Sequence, residues 1–147
     1  MRVYVPGTFD CLHVGHLNLL DFAASLGGEV WVGLNTDEFA ERYKRRPIYS
    51  LEDRYRIMES LRQVDEVIVN FGDEDSKPVI SEVRPSYLVH GDDWTGDSYY
   101  RQLGLSWEWL HDRGVTVVYP PYTKGISTTR IIDDLHSRGD GAPPGSL

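Results

Sequence analysis

Cysteine occurs once in the 147 residues, at Cys11, so no disulfide can close within the chain, and the sequence reads as that of a protein suited to a reducing compartment. No stretch approaches the roughly 20 consecutive apolar residues of a membrane span, and the opening MRVYVPG carries too short an apolar run for a signal peptide. A cytoplasmic protein without a membrane partner is the expectation. Basic side chains are outnumbered 15 to 23 by acidic ones, for a net charge of -8, which argues against a surface that coats nucleic acid. An anionic ligand then needs a local basic site. Internal repeats are missing as well. What the chain does have is a 40% hydrophobic, 12% aromatic composition, enough for one compact domain. At this length folding buries a little under about 70% of the unfolded surface, so neither disulfide nor metal is needed for stability.

Short apolar runs alternate with helical periodicity along the chain. Val3 to Val5 is a strand stopped by Pro6 and Gly7, and Leu19, Phe22, Ala23 and Leu26 form one helix face that ends at Gly27 and Gly28. Glu29 to Leu34 is the second strand. Thr36 caps a short helix toward Tyr43, followed by a basic loop through Arg46 and Pro47. Ser50 with Asp53 is a capping signature ahead of the stripe Leu51, Tyr55, Met58 and Leu61. Strands are predicted at Glu66 to Val69, Tyr87 to His90 and Thr116 to Tyr119, with helices at Ser76 to Glu82, Leu103 to Arg113 and beyond Gly125. This pattern predicts a single Rossmann-like α/β domain over residues 1–138, with a mostly parallel five-stranded sheet and helices on both faces. Residues 139–147 read as a disordered tail. Ligands in such a sheet sit beyond the carboxyl ends of the strands.

The segment Gly7 to His16, GTFDCLHVGH, joins the first strand to the first helix, where free backbone N–H groups favour an anion. His13 and His16, three apart at a helix start, can project from one face toward the same phosphoryl oxygens, and Gly15 between them leaves room for a nucleotide. Two other readings stand beside this one: structural histidines at a helix start, or a metal site of Cys11, His13 and His16, which lacks a fourth ligand. Ser127, Thr128 and Thr129 offer hydroxyls and unpaired N–H groups for phosphates at the start of the last helix; simple N-capping needs only one of them. Arg42, Lys44, Arg45 and Arg46 are a basic cluster in an acidic protein, or else a solvated face. Asp92 and Asp93 after the fourth strand suit ribose hydroxyls, a cytosine amino group or hydrated magnesium, or a turn beside Gly91. Trp94 suits the wall of an acceptor pocket, or packing.

The stretch from Gly7 to His16 resembles the HxGH signature of the nucleotidylyltransferase superfamily, in its cytidylyltransferase-like form GTFDxxHxGH. GISTT at Gly125 to Thr129 is similar to the second signature of that family, and HGDDW at His90 to Trp94 resembles the GDDW of glycerol-3-phosphate cytidylyltransferases. The resemblance implies a cytidylyltransferase that joins CMP from CTP to a small phosphorylated alcohol, glycerol 3-phosphate first, and releases pyrophosphate with Mg2+ present. Adenylyl transfer to a sugar phosphate, which fits Arg46 to Ile48, and a nucleotide-binding module without turnover are the alternatives. In-line attack on the α-phosphorus needs no protein nucleophile, only alignment and cationic donors. His13, His16 and Lys44 take that role. Gly7, Thr8, Phe9, Gly15, Arg45, Asp92 and Asp93 would bind the nucleotide with Gly125, Ile126, Ser127, Thr128 and Thr129. Arg54 and Arg62, placed on the helix after the basic loop, would face the phosphorylated substrate together with Trp94. The family resemblance also implies a homodimer. Tyr122, with Lys124 two positions on, stands where the family usually carries an arginine.

Overall fold

The computed structural model describes residues 1–90, 104–121 and 123–141. Five strands, β1 (Arg2–Gly7), β2 (Glu29–Leu34), β3 (Glu66–Val69), β4 (Tyr87–Val89) and β5 (Thr116–Val118), form one sheet in the order β3-β2-β1-β4-β5, every pair parallel. The helices are α1 (Val14–Ser25), α2 (Asp37–Tyr43), α3 (Leu51–Glu59), α4 (Lys77–Val83), α5 (Trp107–Asp112) and α6 (Thr128–Gly141). Strand order reverses between β1 and β4, so the carboxyl ends of these two strands flank the crevice where a doubly wound sheet takes its ligand.

Side-chain alternation on the strands builds a core on each face. Val3, Val5, Val30 and Val32 point to one side and pack with Leu20 and Ala23 of α1 and Met58 of α3. Tyr4 and Leu88 point to the other, against Val79, Ile80 and Val83 of α4 and Leu110 of α5. The expected doubly layered α/β domain is therefore what the chain forms. Most element limits shift by one or two residues from the sequence reading, and two shift further. Helix α5 starts at Trp107, because Gly104 has a φ of 66° and the Ser106 hydroxyl accepts from the Trp109 amide as the N-cap. Helix α6 runs to Gly141, three residues into the segment read as a tail. No helix among the described residues is long and apolar enough to cross a membrane.

Candidate active site

Helix α1 begins with an unusual cap built from the two histidines. The Gly15 amide donates to His13 Nδ1 at 3.0 Å, and the His13 amide donates to His16 Nδ1 at 3.2 Å. Because each Nδ1 accepts a hydrogen bond, the proton of each neutral ring must sit on Nε2. The rings stack with centroids 3.8 Å apart, and Phe9 packs against His16 at 5.3 Å. Burial, and secondarily the neighbouring His13, push the His16 imidazole down to about 3; burial also lowers His13. Both imidazoles are thus pushed toward their neutral form, each with Nε2–H as its donor.

That cap gives stability a pH dependence. The unfolded chain protonates a histidine near 6.5 while folded His16 resists protonation down to about 3, so below 6.5 the unfolded state holds more protons and stability falls as pH falls. Between pH 6.5 and 5 we expect His16 to contribute a slope of up to about 1.4 kcal/mol per pH unit. Urea unfolding at pH 7, 6 and 5 should show this slope reduced in His16→Gln; equal slopes in the two proteins would contradict it.

Gly15 has a second reason beside the one its spacing suggested. A Cβ there would lie 2.8 Å from His13 Cε1 and 2.9 Å from Nδ1, so the glycine makes room for the capping ring as well as lying at the cleft wall. Gly15→Ala should displace His13 and lower turnover about tenfold, as small misplacements of a reacting group do, although alanine is the better helix former by about 1 kcal/mol. Activity and the urea midpoint measured side by side check this; a variant at full activity would contradict it.

The second motif folds back onto the first. The Thr128 hydroxyl donates to the Asp10 carbonyl at 2.7 Å, and Arg45 Nη1 donates to the Thr129 hydroxyl at 2.9 Å. Ser127 Oγ accepts from the Arg130 amide at 3.0 Å and so serves as the N-cap of α6. Of the three hydroxyls one caps, one ties the helix to the β1–α1 loop and one meets a cation. Gly125, with φ 83°, makes the turn that lets the chain enter α6.

Two clefts result, with open volumes of about 640 and 1020 Å³, and His16, Leu19, Lys44 and Thr128 line both. The smaller is bounded by Gly7, Thr8 and Phe9 of the first loop and by Tyr43, Lys44 and Arg45 of the second. The larger holds His13, Gly15, Ile126, Ser127 and Thr129. Thr8 Oγ1 accepts from Asn35 Nδ2 at 3.1 Å and lies 3.2 Å from the Tyr43 hydroxyl. Phe9 is a core residue whose ring supports His16. The basic cluster divides: Arg42 pairs with Glu74 and Asp73, Arg46 pairs with Glu41, and Lys44 and Arg45 remain at the clefts.

Arg54 and Arg62 are not brought to the site. Arg54 is fully buried; its Nε donates to the Tyr49 carbonyl, Nη1 to the Thr8 and Asn35 carbonyls, and Nη2 to Asp37 at 2.7 Å. Four of its five N–H groups are used in holding loops together. Arg62 is exposed in the turn beyond α3, at the amino end of β3 and so on the side of the sheet away from the clefts. Asp92, Asp93, Trp94 and Tyr122 lie outside the described residues. Lys124 is exposed and lines neither cleft. Sequence reasoning missed Asp10 and His90. Asp10, 5% exposed, lines the smaller cleft, and His90, buried at the end of β4 and edge-on to Tyr119, lines the larger. For His90 the signal was its place after a strand at the topological switch point. Among the described residues no group of three or more His, Cys, Asp or Glu is placed to hold a metal ion, so the Cys11–His13–His16 alternative has no geometric support.

Histidines, cations and helix-tip hydroxyls around one crevice are the equipment of phosphoryl chemistry. Comparison with known proteins agrees. The chain is 39% identical over 134 residues to the glycerol-3-phosphate cytidylyltransferase of Bacillus subtilis (strain 168), covering 91% of this chain and 96% of that protein. It is 34% identical over 137 residues to the glycerol-3-phosphate cytidylyltransferase of Staphylococcus aureus (strain NCTC 8325 / PS 47), covering 93% and 96%. The lipopolysaccharide core biosynthesis protein of Thermoplasma volcanium GSS1 superimposes with a TM-score of 0.71 at 27% identity, over 84% of this chain and 98% of that one. With the cytidylyltransferase-like family model matching residues 4–134, nearly the whole described fold, the chain belongs to that family and is a nucleotidyltransferase.

Proposed function

We propose that the clefts transfer CMP from CTP to the phosphate of glycerol 3-phosphate. An acceptor phosphate oxygen attacks the α-phosphorus in line, a new P–O bond forms, the bond to the β-phosphate breaks and pyrophosphate leaves. The observation that carries this is the convergence of the two motifs: Thr128 bonded to the Asp10 carbonyl and Arg45 bonded to Thr129 bring imidazoles, cations and the α6 tip to one crevice. In this reading the Nε2–H groups of His13 and His16 donate to the α-phosphate as charge builds on it, and Lys44 and Arg45 neutralise the triphosphate. The amides at the start of α6 receive the departing β- and γ-phosphates.

Magnesium enters as part of the substrate. The carboxylate among the described lining residues, Asp10, is committed to two backbone amides, and Mg2+ is suited to coordination by phosphates and water. Its chemistry here is to neutralise the triphosphate. Asp92 and Asp93 stay in the proposal as nucleotide contacts and Trp94 as an acceptor contact. The homodimer and the cytoplasmic location belong to the same reading; sedimentation should give twice the 16.8 kDa of one chain. The deciding experiment is pyrophosphate release with CTP and ATP in parallel, across glycerol 3-phosphate and a panel of other phosphorylated alcohols and sugar phosphates. Turnover with CTP and glycerol 3-phosphate is expected. Turnover with ATP alone would assign adenylyl transfer, and nucleotide binding with no turnover across the panel would leave a binding module.

A further inference from the structure

Asp10 takes no part in the transfer chemistry, yet its carboxylate is fully engaged. Oδ2 accepts from the Ile48 amide at 2.7 Å and Oδ1 from the Tyr49 amide at 2.9 Å, while its carbonyl receives the Thr128 hydroxyl. It lies between Phe9 and Cys11, whose φ angles of 53° and 49° are left-handed. Such backbone costs about 1–3 kcal/mol per residue and persists only where its surroundings hold it. The side chains of Ile48 and Tyr49 are exposed, so the segment after the basic loop has little packing of its own. Upstream of the two cleft-facing cations, α2 is held by Arg42 on Glu74; downstream, the Asp10 carboxylate grips the amides and Arg54 takes the Tyr49 carbonyl.

We propose that Asp10 is a positioning residue: by clamping the backbone at residues 48 and 49 it holds Lys44 and Arg45 over the imidazole pair, and so sets triphosphate affinity through the basic loop rather than by contact. Bonds to a carboxylate are stronger than neutral ones, and two of them on consecutive amides fix both the position and the orientation of the strap. The inference rests on the nucleotide reading of the clefts for its consequence, though not for the clamp itself.

Two measurements test it. Trypsin can cut after Lys44 and Arg45, whereas Pro47 protects the bond after Arg46. Asp10→Ala should speed cleavage at these two bonds about tenfold or more, as local opening does, with cleavage after Arg56 in α3 unchanged; Asp10→Asn, which keeps one carbonyl acceptor, should fall between. The second is a calorimetric cycle with Mg·CTP. Asp10→Ala should weaken binding about tenfold in the otherwise native protein and less than about twofold where Lys44→Ala and Arg45→Ala are already present, because effects routed through the same cations do not add. Unchanged trypsin cleavage, or equal weakening in both backgrounds, overturns the proposal. A native protein that binds no CTP would sink the assignment of the nucleotide, and the trypsin comparison would still decide whether the clamp exists.

Discussion

Replacing His16 with alanine should lower turnover about 100- to 1000-fold, the usual loss when one donor to a developing phosphoryl charge is removed. The cap is weakened at the same time, because His16 Nδ1 holds the His13 amide. Loss of such a cap costs about 1 kcal/mol, well short of unfolding a domain whose net stability is typically about 5–15 kcal/mol. The circular dichroism spectrum should therefore match that of the native protein. His13 stacks on His16, so removing either ring frees the other, and the double alanine variant should be scarcely slower than the worse single one. Single-turnover measurements with CTP at saturation separate chemistry from binding. Turnover within tenfold of native in His16→Ala would remove the imidazole pair from the mechanism.

Arg54→Met should cost about 3–5 kcal/mol of stability, the range for breaking a buried ion pair by removing one partner. The change leaves Asp37 without its ion pair and takes the donor from the carbonyls of Thr8, Asn35 and Tyr49, which belong to three separate loops. Lysine should not rescue it, because a point-charge ammonium cannot span four acceptors as the planar guanidinium does. Urea unfolding measures the effect. A substrate-facing arginine predicts the opposite pattern, a raised KM for the acceptor with stability within about 1 kcal/mol of native, and that outcome would restore the role the family resemblance implied.

Arg54 also shows where sequence legibility failed. Leu51, Arg54, Tyr55 and Met58 follow the i, i+3, i+4, i+7 spacing of one helix face, so the periodicity that marked the stripe placed the arginine within it. The family resemblance pointed the same side chain at the phosphorylated substrate, whereas the spacing turns it into the core, where it is fully buried. Elsewhere local signals sufficed: Thr36 and Ser50 cap α2 and α3 as their positions predicted, and β2 and β3 keep their predicted limits. Structural histidines at this helix start were one of the readings, but their capping geometry was not legible, because capping rules are written for Ser, Thr, Asp and Asn and an imidazole accepts an amide only in one tautomer. The doubt over three adjacent hydroxyls was resolved only in three dimensions, where each has its own partner. Asp10 was hidden for a similar reason: its partners lie 38 and 39 residues away, and no local pattern announces them.

The link between Thr128 and the Asp10 carbonyl spans 118 positions. While the polypeptide is still emerging from the ribosome, all five strands can be laid down before the last wall of the crevice exists. A nascent chain therefore carries its histidines without the hydroxyls that complete their neighbourhood, and it gains the full constellation only once Ser127 to Thr129 have been added.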